Sequence, residues 1–240
     1  MGRLYLVASG KGGVGKSVFS SNLSAVFAER GIRVALVDMN VGLRNLDLYM
    51  GMEDRVIFDI ADVLSGVVPP RRAFVRDRRF QYLSLLATTQ KKEKFHAGAE
   101  DMKRLYRYLR ANFDITIVDG PAGVNRELGL ASIGVNAAVV VTTPEYVSLR
   151  DADLVEQTLH KGGVENRVYV VNKMFRDFLG HSTLPTVEII TSTMKIPLLG
   201  AIQHDNEIHL AANRGVPAVL GNDSYITRNF NKIADRLLMY

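Results

Sequence analysis

A chain of 240 residues, 47% apolar and 23% charged, can bury a substantial core, and residues 1–240 read as a single domain. It has no cysteine, which excludes disulfides, thiolate metal centres and iron–sulfur clusters held by this chain and suits a cytoplasmic setting. No apolar run nears the roughly 18–20 residues that span a bilayer, Leu6 spoils any myristoylation signal, and a net charge of +5 favours anionic partners without choosing among nucleotide, lipid and nucleic acid.

Short, nearly all-apolar runs recur along the chain: 4–9, 34–38, 82–87, 114–119, 137–143, 168–171 and 198–202. They lack the alternation of a half-exposed strand and predict strands buried on both faces of a parallel sheet. Helical spacing falls between them. Phe19, Leu23, Val26 and Phe27 follow i, i+4, i+7, i+8, and Gly31 stops that helix. Further helices are expected around 100–112, 147–160 and 206–213, and a last amphipathic one through Ile226, Phe230, Ile233 and Leu237 that packs on the core. The basic, proline-containing stretch 67–79 reads as a surface excursion. Strands alternating with helices predict an α/β fold: a doubly wound, mostly parallel sheet of about seven to eight strands flanked by helices.

Between the first strand and the first helix stands Gly10-Lys11-Gly12-Gly13-Val14-Gly15-Lys16-Ser17. It fits the spacing G-x-x-x-x-G-K-[ST] in the strand–loop–helix context that motif requires, which makes the fold a P-loop NTPase. Glycines let successive N–H groups turn inward as a nest for phosphate oxygens, and the helix start adds its positive end. The predicted cofactor is ATP or ADP with Mg²⁺, cradled by Gly10 through Val18. Lys16 would bridge the outer phosphates and Ser17 would ligate the metal. A metal-directed carboxylate is needed at the end of another strand. Asp119 and Asp38, each closing an apolar run, are the candidates, although an acid there can also simply cap a turn.

Lys11 is not required by that spacing. The segment GKGGVGKS resembles the deviant Walker A loop of the MinD/ParA ATPases, whose signature is this extra lysine. VGLRNLDLYMG (41–51), VDGPAG (118–123), TTPEYVSLRDAD (142–153) and NRGVP (213–217) resemble further MinD segments in order. The resemblance runs through nearly the whole chain and is nearer to the MinD branch than to the plasmid-partition proteins. It implies an ATPase that dimerises around its nucleotides, Lys11 crossing to the partner's phosphates, and a role in positioning the division site. It implies a catalytic set of Lys11, Lys16, Asp38 and position 40. The adenine edge would meet Asn172 and the loop holding Asp205. Arg44, Asn45, Pro121, Gly123, Asp151 and Asp153 fall in switch or partner segments. Implied partners are a second copy, a MinC-type division inhibitor and a MinE-type regulator, at the inner face of the membrane.

This sequence departs from the family in three places. Asn40 stands where the family has Asp, so the residue that would orient or activate water is neutral and turnover is expected to be slow. Gln203-His204-Asp205 replaces a proline followed by two acids. The chain ends at KIADRLLMY without the basic amphipathic tail of MinD proteins, so contact with an anionic membrane surface is expected only if such a tail is missing here. Two other readings stay open: a ParA-like positioning ATPase on nonspecific DNA, and a nucleotide switch that does not hydrolyse. The basic runs 71–79 and 91–94 read as solvated surface or as a polyanion contact. Asp151 and Asp153 also fit the start of a helix, where acids complement the dipole. His96, His160, His181, His204 and His209 show no metal spacing, except that His204 and His209 are close, and none is assigned as a ligand.

Overall fold

The computed structural model describes residues 1–175, 183–220 and 224–240; His181 lies outside them. Eight strands form one sheet: β1 (Arg3–Ser9), β2 (Val34–Asp38), β3 (Val75–Arg76), β4 (Leu83–Leu86), β5 (Ile115–Ala122), β6 (Ala137–Thr142), β7 (Asn166–Met174) and β8 (Leu198–Gln203). Their spatial order is β3-β4-β2-β5-β1-β6-β7-β8, and every pairing is parallel except β3 with β4. The central strands read as unbroken apolar runs because both faces are covered. Along β1, Leu4, Leu6 and Ala8 join one buried cluster, while Tyr5 and Val7 join the other.

Ten helices of four residues or more are described. These are α1 (Lys16–Glu29), α2 (Leu46–Tyr49), α3 (Ile60–Leu64), α4 (Pro70–Ala73), α5 (Ala99–Asn112), α6 (Arg126–Ala131), α7 (Tyr146–Lys161), α8 (Val187–Met194), α9 (Asn206–Asn213) and α10 (Tyr225–Leu237). The five helices predicted from spacing stand within about two residues of their expected places. The short α2, α3, α4 and α6 escape the spacing, since one or two turns are too few to show a period, and α8 escapes it too although it is as long as α9. α1 is more deeply buried than its pattern implies: Phe19 through Ala28 are all shielded, Ser20, Ser21, Asn22 and Ser24 included. It packs on β1, β2 and β5 beside α10, which packs on β8 and whose Ile226, Phe230, Ile233 and Leu237 face inward as the spacing predicts.

Stretch 67–79 is more than a surface excursion. It contains α4 and the antiparallel edge strand β3, and Asp77 just beyond it is buried. Burial alone would raise the Asp77 carboxyl; hydrogen bonds from Arg79 outweigh it and hold the group below its ordinary range. A basic run following two prolines hides such an edge strand from pattern reading.

The α1–α10 layer is fastened by Phe19 and Phe230, both buried, with ring centroids 5.8 Å apart. Phe230→Ala should therefore cost about 3–5 kcal/mol, measured as a lower urea midpoint at unchanged slope.

Candidate nucleotide-binding site

β1 is flanked by β5 on one side and β6 on the other. This is the point where an open α/β sheet reverses its winding and leaves a crevice beyond the strand ends. The loop Gly10–Gly15 sits there and leads into α1. Two of its glycines are set by close approach. A Cβ on Gly10 would lie 2.3 Å from the Asp151 carbonyl carbon of α7, and one on Gly15 would lie 2.3 Å from Asn172 Nδ2. Gly15 also starts α1 in the left-handed region, at φ 90°.

Under the loop lies Asp119, wholly buried. Lys16 Nζ donates to its Oδ1 at 3.0 Å and Ser20 Oγ to the same oxygen at 2.8 Å; Ser17 Oγ donates to Oδ2 at 2.6 Å and Asn40 Nδ2 to Oδ2 at 3.0 Å. Asp38 is its register partner on β2 and accepts from the Asn40 N–H at 2.8 Å. Burial, and then the neighbouring Asp119 charge, push the Asp38 carboxyl up from 3.8 to about 7. Two buried carboxylates and a hydroxyl are a hard-oxygen set that could hold a divalent cation, and the Lys16 ammonium occupies one of those carboxylates here.

Lys11 points elsewhere. Its Nζ donates to Glu145 Oε2 at 2.8 Å, both side chains partly exposed, and this ion pair holds the Glu145 carboxyl below its usual range. Lys173, in the left-handed region at φ 58°, donates to the Gly13 carbonyl at 2.7 Å. Asn172 Nδ2 donates to the Val14 carbonyl at 2.8 Å. The loop is thus held from the β7 side by two residues. A cavity of about 580 Å³ opens over it, lined by Lys11 to Val18, Asn40, Asn45, Asn172, Lys173 and residues of α9.

Of the predicted residues, the structure gathers Gly12 through Val18, Lys11, Asn40, Asn45, Asn172 and Asp205 around this cavity, with Asp38 and Asp119 beneath. Asp205 lines it but is engaged otherwise: it caps α9 by accepting from the Glu207 N–H at 2.7 Å and also accepts from the Tyr225 hydroxyl. Arg44, at φ 47°, pairs with buried Asp47 at 2.6 Å. Pro121 is buried at the end of β5, and the Gly123 N–H donates to the Ser9 carbonyl at 2.8 Å. The helix-start reading of Asp151 and Asp153 is corrected. α7 begins at Tyr146, so both lie in its second turn, beyond the reach of the terminal dipole. Asp151 matters here through its main chain, which packs on Gly10. Among the described residues no cluster of three or more His, Asp or Glu side chains assembles.

Sequence reasoning missed Ser20, Glu145 and Lys173. Ser20 carries a faint signal, being polar one turn beyond Lys16 on a core-facing helix. Glu145 and Lys173 reach the loop only through strand order, so nothing local marks them.

A strand–loop–helix phosphate nest on a parallel sheet, with a lysine, a serine and two strand-end aspartates converging, defines a P-loop nucleotide-binding protein. Residues 1–238 match the ParA family model, described as a NUBPL iron-transfer P-loop NTPase; this chain has no cysteine with which to hold iron. The septum site-determining protein MinD of Bacillus subtilis is 36% identical over 99% of this chain and 90% of its own, and that of Thermotoga maritima is 34% identical over 99% and 88%. The MinC:MinD cell division protein complex of Aquifex aeolicus superposes with a TM-score of 0.90 at 32% identity, covering 99% of this chain and 96% of that one. MinD of Pyrococcus horikoshii complexed with Mg-ADP superposes with a TM-score of 0.87 at 28% identity, covering 99% and 96%. The chain belongs to the MinD/ParA family of P-loop ATPases, on its MinD side.

The raised Asp38 carboxyl sets a pH dependence. The native state holds that proton more tightly than the unfolded chain does, so the native state loses stability as pH rises from about 4 to about 7. Urea midpoints of nucleotide-free protein should fall across that window, and Asp38→Asn should flatten the fall.

Proposed function

We propose that this chain is an ATP-driven dimeric switch that places the cell-division site. The observation that carries this reading is the double-lysine loop, seated over Asp38 and Asp119 in a chain matched end to end by MinD proteins. ATP is the substrate, its phosphates received by the main chain of Gly10–Ser17 and by Lys16. Ser17, Asp38 and Asp119 fit Mg²⁺, since the two buried acids exceed the single charge of Lys16. When bound there, the ion supplies Lewis-acid stabilisation to the phosphate oxygens. Asn172 is the base-edge contact, and Asp205 shapes that end of the cavity from its place as the α9 cap.

Lys11 is the group that senses a second copy. Its pair with Glu145 is exposed, and such pairs contribute only about 0–1 kcal/mol, so release toward a partner's phosphates costs little. Arg44, Asn45, Pro121, Gly123, Asp151 and Asp153 belong to the switch and partner segments, Pro121 as a buried member. These would meet a MinC-type inhibitor and a MinE-type regulator. The setting is cytoplasmic, with contact at the inner face of the membrane only where a basic amphipathic tail supplies it; no helix among the described residues is long and apolar enough to cross a membrane.

Asn40 makes this a slow ATPase. Its amide is spent on Asp119 and cannot accept a proton from water. Restoring an acid with Asn40→Asp should raise steady-state phosphate release by about 10²–10⁴; equal turnover in the two proteins would refute this role. Lys11→Ala should keep ATP binding but abolish ATP-dependent dimerisation, read by light scattering.

The setting is tested by sedimenting the protein expressed from the intact gene, with Mg-ATP, against anionic vesicles and against duplex DNA. Vesicle binding without DNA binding supports the division-site reading. DNA binding alone would favour a ParA-like positioning role, to which the exposed Arg71, Arg72 and Arg107 lend charge.

A further inference from the structure

Besides the phosphate nest, two further walls line the cavity. One carries Leu43 and Tyr49, the latter on α2; the other carries Ile208, Ala212 and Asn213, all on α9. These walls belong to segments more than 150 positions apart in the chain. Behind the cavity they touch through two glycines. A Cβ on Gly215 would lie 2.7 Å from the Gly51 Cα, and one on Gly51 would lie 3.0 Å from the Gly215 carbonyl oxygen.

Arg79, on the turn between β3 and β4, fastens this contact. Its Nη1 donates to the Gly215 carbonyl at 2.8 Å and its Nη2 to the Met50 carbonyl at 2.5 Å. The guanidinium is aimed by buried Asp77, which accepts from Nη2 at 2.8 Å and from Nε at 3.2 Å. Met50 follows Tyr49 directly, and Gly215 lies two residues after Asn213, so each bonded carbonyl lies within two residues of one wall. Arg79 itself does not line the cavity.

We propose that Arg79 is a positioning residue that fixes the spacing of the two walls receiving the nucleoside, and so governs affinity for the nucleoside half of the ligand rather than for its phosphates. The fork of a guanidinium can hold two carbonyls from different segments while a carboxylate fixes its orientation. A lysine, with one ammonium on a flexible stem, cannot hold all three. The nest at Gly10–Ser17 is built by β1, α1 and β7 and needs none of these contacts.

The proposal rests on the nucleotide reading of this cavity, and the test separates the two. The full chain is titrated calorimetrically with Mg-ATP and, separately, with Mg-tripolyphosphate. Arg79→Ala and Arg79→Lys should weaken ATP binding by about tenfold or more and leave tripolyphosphate binding within about twofold. Gly215→Ala leaves Arg79 in place but forces the walls apart, and it should show the same split. It tests whether wall spacing governs nucleoside affinity, and Arg79→Lys decides the role of Arg79 if Arg79→Ala does not fold. Equal losses for both ligands, or no loss of ATP binding in folded variants, would overturn the role of Arg79. Failure of the unmodified protein to bind either ligand would instead overturn the nucleotide reading, and this proposal with it.

Discussion

One buried carboxylate organises the site. Asp119 sits at the end of a central strand with no exposure and receives four hydrogen bonds, from Lys16, Ser17, Ser20 and Asn40. Those donors come from the first turns of α1 and the loop after β2. A buried charge left unpaired is strongly destabilising, so the loop, the helix start and the segment after β2 are held in one arrangement by the need to satisfy it. Asp38, beside it in register, is kept from ionising at the usual pH by burial and by that same charge. The pair stands ready for a cation of higher charge than a lysine carries.

Around this centre the phosphate loop is held from three sides. α7 presses its backbone against Gly10, and β7 supplies Asn172 and Lys173 to the carbonyls of Val14 and Gly13. From the sheet side, Ser9 Oγ donates to the Lys11 carbonyl at 3.1 Å. Preorganised N–H groups bind an anion without having to rearrange at the moment of binding. Lys11 is the exception: it projects to the rim, where Glu145 retains it loosely. A cation held weakly at a rim suits a contact made with another molecule better than one made within its own pocket.

Asn40 shows how a conservative change alters chemistry while preserving architecture. The amide bonds Asp119 through its nitrogen. An aspartate in its place would set a third carboxylate against two already buried. The asparagine therefore relieves electrostatic cost in the nucleotide-free site while removing the proton acceptor.

Much was legible in the residues themselves. The double-lysine loop, the strand-end aspartates and the helices α1, α5, α7, α9 and α10 follow from spacing and from side-chain chemistry that act over a few residues. The resemblance to the MinD/ParA family rested on the same local motifs. What the residues could not show depends on which strand lies beside which. β5 beside β2 and β1 brings Asp119 to Asp38 and Lys16. β6 and β7 on the other side of β1 deliver Glu145, Asn172 and Lys173 to the loop. The edge hairpin carries Arg79 to two carbonyls it is far from in sequence. A motif specifies its own backbone, because its constraints are steric and local. The partners of that motif are chosen by sheet order, which is settled only when both faces of the sheet are buried together.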